Sequence, residues 1–299
     1  MLAFKINKDE TAYEVTKCDK KAAGLVTIPD VYEGKPVVSI KAEAFRYCSK
    51  ITDVIIPDSI EKFGSWAFID CHGLTNVVIP DSVKKAGYAI FQGCTSLKSA
   101  VLSKNMKISG NRAFAQCTSL VSVTIPDGVK VIGEHCFVDC TGLASVTIPK
   151  SLTEYRYAFY KCTGLTSVTF QKGVKVIDEH AFEKCTGLTS ITIPEGVEAI
   201  HGEAFRGCTG LTSVTIPEGV KEIEFQAFAG CTGLASVTIP KTVVGMKHMV
   251  FEDCDKQLTI NVLGLCEKPE AWHDNWRGNS KCKVIWDFGG KNIVQEAGA

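Results

Sequence analysis

No apolar run in this chain reaches the roughly 20 residues that a helix needs to cross a bilayer. Neither sign of charge is in excess: 33 Lys plus Arg face 33 Asp plus Glu. The first absence excludes a hydrophobic spanning helix and membrane insertion by that route. The second argues against nucleic acid or an anionic membrane as the main partner. The start, Met1–Glu10 (MLAFKINKDE), lacks a basic stretch followed by an apolar one. No secretory signal is therefore expected in this form, which places the chain in the cytoplasm as given. The alternative is a secreted or cell-surface protein whose signal was trimmed. Catalytic motifs are also missing: no C-x-x-C, H-E-x-x-H, G-x-S-x-G or phosphate-binding glycine loop occurs. The chain is expected not to be an enzyme, and to use neither a cofactor nor a metal.

Cysteine, by contrast, is abundant, and ten of the fourteen form a ladder: Cys48, Cys71, Cys94, Cys117, Cys140, Cys162, Cys185, Cys208, Cys231 and Cys254. The step is 23 residues, except for the 22-residue step to Cys162. A fixed period of this length is the signature of a repeat array. One cysteine per repeat, always at the same place, reads as a buried column of reduced thiols, since disulfides need converging Cβ vectors. Cys18, Cys136, Cys266 and Cys282 lie outside the ladder, and a Cys266–Cys282 bridge is an alternative for that pair. Cys136 follows His135 but takes the place of a core alanine, so a packed thiol is expected there rather than a nucleophile. His135 and His180 share a column two coils apart, roughly 10 Å by strand spacing, too far for one metal. The other histidines are scattered.

One coil, Cys185–Gly207 (CTGLTSITIPEGVEAIHGEAFRG), shows the design. Leu188, Ile191 and Ile193 include the period-two alternation of a short strand. Pro194 ends it, because proline cannot donate to a ladder, and Gly196 suits a turn. Residues 202–206 are too few for an ordinary helix and predict a helical turn or compact bend that drops Phe205 into the core. Phenylalanine recurs at this place from Phe45 through Phe251. Each coil alone exposes its apolar face, so stability should be mostly nearest-neighbour. A bulky polar change at Phe182 is expected to uncouple what lies on either side.

The pattern L-x-x-h-x-h-P-x-x-h-x-x-I-x-x-x-A-F-x-x-C, with h apolar, resembles the BspA-type leucine-rich repeat over about residues 25–257. The resemblance implies a curved repeat solenoid, a leucine-rich-repeat array with a parallel β-sheet on its concave face. It also implies roles in protein binding and surface adhesion, as in many bacterial and protist members. Departures occur at Ser103 and Gln171, which replace the proline, and near Tyr155–Phe159, where the repeat is one residue short. About ten 23-residue coils plus two caps are expected. Residues 1–47 form an N-terminal cap and first atypical repeat, with Gly34-Lys35-Pro36 as a loop. Residues 48–257 form the array. Residues 258–288 form a Trp-rich C-terminal cap, and 289–299 a flexible tail. Trp272, Trp276 and Trp286 are read as closing the last coil, the alternative being a ligand cage.

Strand alternation gives two outward columns. One runs Asp53, Asn76, Ser99 and then serine to Ser236. The other runs Ile55, Val78, Val101 and then threonine to Thr238. The column after the proline mixes charges (Asp58, Asp81, Lys104 and onward) and reads as a solvated edge. A regular threonine column raises ice binding, but six threonines on a curved sheet are too few. The N-terminal third breaks the Ser/Thr monotony, either as an interaction site or because early coils drifted or are covered by the cap. The expected function is a noncatalytic protein-recognition scaffold. Its partner, a protein of unknown identity, would bind around Asp53, Ile55, Asp58, Asn76, Val78, Asp81 and Val101. The alternatives are a secreted or cell-surface adhesin and a purely structural spacer. The chain is expected to be monomeric.

Overall fold

In the coil Cys185–Gly207 a strand at Ser190–Thr192 buries Ile191 and turns Ser190 and Thr192 outward. The chain reverses after Pro194 at Gly196, whose φ of +96° suits glycine far better than a residue with a Cβ. A second, two-residue strand follows at Ala199–Ile200, an element the sequence reading did not anticipate. Residues 202–206 form a bend rather than a helix, with Glu203 in the left-handed region at φ 56°. That conformation recurs at Glu43, Trp66, Ala89, Arg112, His135, Tyr157, His180, Gln226 and Met249. Each such residue is strained by roughly 1–3 kcal/mol. The strain is tolerated because the bend aims backbone N–H groups at the next coil: Phe45 N–H donates to Ala67 O (2.7 Å) and Phe182 N–H to Ala204 O (2.9 Å). The glycine of each Thr-Gly-Leu also has a packing reason, since a Cβ at Gly210 would collide with the Thr186 carbonyl oxygen.

This computed structural model describes residues 1–105, 111–255, 257–289 and 291–295. The chain divides into two compact units, 1–159 and 160–299. Both are parallel-strand solenoids, with about 12 coils along the chain and no helix among the described residues.

In the first unit, Leu2–Ile6 and Tyr13–Cys18 form an antiparallel hairpin, and the latter pairs in parallel with Lys35–Ile40. That sheet continues through Lys62–Phe63 and Lys85–Ala86. The expected loop at 34–36 is corrected: Lys35 and Pro36 already belong to a strand paired with Val31–Tyr32. The turn is the two residues Glu33 and Gly34, both with positive φ (47° and 77°), as tight hairpins prefer. A second sheet contains Gly24–Thr27, Ile51–Ile55, Asn76–Val78, Ser99–Val101 and Ser122–Thr124, side by side. Phe45, Phe68, Phe91, Phe114 and Phe137 stack between the sheets, with ring centroids 4.4–5.4 Å apart. Ser103, standing where most coils have proline, is fully buried, and its hydroxyl donates to Val83 O at 3.3 Å.

In the second unit, Ser190–Thr192, Ser213–Thr215, Ser236–Ile239, Thr259–Leu263 and Lys283–Phe288 run parallel. The Trp-rich segment therefore extends the ladder as well as closing it. Trp272, Trp276 and Trp286 are at most 3% exposed. Trp272 Nε1–H donates to Val243 O at 3.0 Å, and Trp276 meets Phe251 edge-on at 6.0 Å. They pack as core rather than as an open cage. Within the segment expected as a flexible tail, Lys291–Gln295 is a strand pairing antiparallel with Lys283–Phe288. Residues 290 and 296–299 lie outside the described residues.

All fourteen cysteines are free thiols, and only Cys266 is exposed. The Cys266–Cys282 bridge is not formed. Ladder thiols do more than fill space: Cys71 Sγ–H donates to Phe45 O (3.0 Å), and Cys208 does the same to Phe182 O (3.2 Å). Burial pushes the Cys71 and Cys208 thiols up to about 12, which keeps them protonated and inert near neutrality.

Candidate binding face

The outward columns of the first unit are in register. Leu25 stands beside Asp53 and Thr27 beside Ile55; Asp53 stands beside Asn76. Asn76 is followed by Ser99 and Ser122, and Val78 by Val101 and Thr124. The apolar members face solvent: Leu25 is 59% exposed, Ile55 50%, Val78 62% and Val101 36%. The four strands that carry them span three inter-strand steps, about 14 Å. The N-terminal hairpin belongs to the other sheet and leaves these side chains open to solvent. Leu25 was missed in the sequence, although LVTIP at 25–29 aligns with SITIP at 190–194 and puts Leu25 in the serine column. Val121, 53% exposed beside Ser122, was also missed.

The polar members are engaged with one another. Ser99 Oγ–H donates to Asn76 Oδ1 (2.7 Å) and Asn76 Nδ2–H to Thr75 Oγ1 (3.0 Å), whose own hydroxyl is shared between Thr52 O (3.1 Å) and Asp53 Oδ1 (3.4 Å). Asp58 is exposed at the edge. Asp81 binds the next coil: Lys104 Nζ lies 2.9 Å from Oδ2, and Lys104 N–H donates to Oδ1 at 3.0 Å. Hydrogen bonding to Lys104 holds the Asp81 carboxyl below its ordinary value. The geometry thus sets a knitted polar column, which ends at Leu25 on the edge strand, beside a column in which Ile55, Val78 and Val101 follow Thr27 and expose their methyl groups. In the second unit the same face is serine and threonine, Ser190–Ser213–Ser236 and Thr192–Thr215–Thr238.

A different cluster lies at the bends of the second unit. His180, Glu183 and Glu203 are only 6%, 4% and 9% exposed. His180 Nδ1 is 2.8 Å from Glu183 Oε2 and 3.6 Å from Glu203 Oε2, while Nε2 is 3.6 Å from Glu179 Oε1. Arg206 contacts the same Glu203 oxygen at 2.6 Å, and Lys184 lies 3.7 Å from Glu183 Oε1. Hydrogen bonding to Glu203 raises Arg206 further above its ordinary value. The sequence search compared His180 only with His135 in its own column, so the expectation of no metal-ligating group overlooked these carboxylates. The readable signal was Glu183 three residues on and Glu203 one full period on.

A family model described as BspA type leucine rich repeat region, in six copies, matches residues 38–157 and 155–268. No curated protein matches the sequence. Among solved structures, a leucine-rich repeat protein from Bacteroides ovatus ATCC 8483 is 23% identical, covering 95% of this chain and 98% of its own, with TM-score 0.52. A leucine rich cell surface protein from Faecalibacterium prausnitzii A2-165 is 25% identical, with coverage of 93% and 96% and TM-score 0.46. One from Eubacterium ventriosum ATCC 27560 is 17% identical, with coverage of 93% and 96% and TM-score 0.50. The first and third of these share the fold. With the family model spanning most of the sequence and most coils built from a strand, proline turn, Ala-Phe bend and cysteine, the chain belongs to the BspA-type leucine-rich repeat family.

Proposed function

We propose that the chain is a noncatalytic protein-recognition scaffold whose partner docks on the N-terminal third of the strand face. The observation that supports this is the exposed apolar strip Leu25, Ile55, Val78 and Val101 in adjacent strands. Interface energy concentrates in a few desolvated anchors within a polar rim. The strip supplies the anchors, and Asp53, Asp58 and Asn76 supply the rim. Asp81 contributes less, because covering it would also strip water from its pair with Lys104. The serine and threonine columns offer little apolar area and cost desolvation wherever they are covered imperfectly.

The test is capture from the native source with the full chain as bait, comparing wild type with two double variants. Ile55→Ser with Val78→Ser should cut recovery of the specific partner by more than about tenfold, the equivalent of losing two buried aliphatic anchors. Thr192→Ala with Thr215→Ala should leave it unchanged. If the second pair matters more, the uniform face is the binding surface and the proposal is wrong.

A further inference from the structure

We propose that His180, Glu183 and Glu203 form a binding site for one divalent transition-metal ion of the zinc class, held by one imidazole nitrogen and two carboxylate oxygens. His180, Glu183 and Glu203 each offer one ligand atom, and the three atoms lie within 4.8 Å of one another. Around an ion with bonds of about 2.0–2.2 Å, ligand atoms sit roughly 3.0–3.5 Å apart. The separations of 2.8 and 3.6 Å from Nδ1 bracket that range. Between the imidazole and each carboxylate, seating an ion therefore needs shifts of only a few tenths of an ångström. Mixed imidazole and carboxylate ligation suits zinc and its neighbours, whereas calcium and magnesium take oxygen.

The surroundings fit an outer shell. In the metal-free cluster Nδ1–H donates to Glu183. On binding, that proton leaves Nδ1 and settles on Nε2, which faces the Glu179 carboxylate at 3.6 Å. A small approach of the two would give the carboxylate–histidine–metal arrangement that orients a ligating imidazole. Arg206 and Lys184 hold Glu203 and Glu183 from the solvent side.

This coil also differs from two others at the same bend. At the equivalent places, Glu43 pairs with Arg46 and Glu203 with Arg206, ordinary contacts three residues apart. At 180 and 183 the pair is His and Glu, which puts a second carboxylate against the imidazole where these two coils carry a guanidinium. The three ligand residues leave a fourth position open, which water would fill.

The experiment uses the full chain carrying Cys266→Ser, which removes the exposed thiol, after dialysis against a chelator. Zinc titration by calorimetry should find one ion per chain, and saturating zinc should raise the thermal midpoint. Cobalt in place of zinc should give d–d bands without a sulfur-to-metal charge-transfer band. His180→Gln and Glu183→Gln should each weaken zinc binding by at least about tenfold and abolish the thermal shift. No uptake at about 100 μM free zinc, or a thiolate charge-transfer band, overturns the proposal. So does either variant, folded by circular dichroism, binding as tightly as the parent. The cobalt spectrum decides on the parent chain alone if a variant fails to fold.

Discussion

Phe228 tests whether the phenylalanine column couples neighbouring coils. Its ring is fully buried, stacked on Phe205 at 5.4 Å and Phe251 at 5.8 Å, with interplanar angles of 8° on both sides. Replacing it with alanine leaves the backbone bond from Phe228 N–H to Val250 O (3.0 Å) and the Cys254 thiol contact to Phe228 O in place. The loss is then side-chain burial and cavity formation, about 3–5 kcal/mol for a core phenylalanine. The two stacked faces fall within that figure, at roughly 0.5–1.5 kcal/mol each. In urea, with a slope near 2 kcal/mol per molar, the midpoint should drop by about 2 M. Because coupling runs only between neighbours, the transition should also broaden or split in two. Circular dichroism and tryptophan emission should separate, since Trp272, Trp276 and Trp286 lie on the C-terminal side of the lesion. Phe228→Leu should recover part of the loss. Thr215→Ala on the outer face should stay within about 0.5 kcal/mol of wild type. A loss below about 1 kcal/mol for Phe228→Ala would refute the argument, as would a comparable loss for Thr215→Ala.

Further outcomes follow from the same geometry. Native protein should show one fast thiol, Cys266, and all fourteen after denaturation, because the others are buried; two or more fast thiols would contradict that. Trp272→Ala should cost about 3–5 kcal/mol and promote association through the uncovered end coil, seen as light scattering on heating. A monodisperse variant of wild-type stability would show that the tryptophans do not close the array. His201 is raised above its ordinary value, chiefly by the hydrogen bond to Asp178, 3.5 Å away. Its contribution to stability is therefore complete below about pH 6.5, the unfolded value, and is lost as pH rises through the higher folded value. In this half-exposed setting it is worth less than about 1 kcal/mol. His201→Gln should flatten the stability difference between pH values on either side of that window, and an unchanged slope would assign the dependence elsewhere.

Much of the fold was legible because each buried column repeats the same residue type. Phe, Cys, Leu and the strand aliphatics each answer a position that only stacking can bury, so the period carries the architecture. The two-residue strands such as Lys62–Phe63 and Ala199–Ile200 were not legible, since two residues are too few to alternate. The left-handed bends were hidden for another reason. Glu, Trp, Ala, Arg and His occupy them, where local preference would favour glycine or asparagine. Inter-coil hydrogen bonding overrides that preference, and no single coil reveals it. The His180 cluster escaped because it joins two members of one column, His180 and Glu203, to Glu183 three residues on, so neither the column nor the local spacing reveals it alone. Leu25 escaped because its strand was assigned to the cap rather than aligned with the array.

The placement of the apolar strip carries its own argument. In a nearest-neighbour array the inward columns hold nearly all the stability, and outward strand positions contribute about 0.5 kcal/mol or less each. Serine or threonine is sufficient there, as the second unit shows through Ser190–Ser236 and Thr192–Thr238. Nothing in the packing requires Leu25, Ile55, Val78 or Val101 to be apolar: each points away from the core. The strip also reaches Gly24–Thr27, the last strand of its sheet, where exposed apolar area and an open edge invite association. A scaffold selected only for stability would carry threonine at 55, 78 and 101, as it does at Thr27 on that edge, and serine in place of Leu25. The structure instead keeps the polar residues bonded to one another and leaves the methyl groups exposed, a departure that the fold does not require and that the proposed partner's contact would explain.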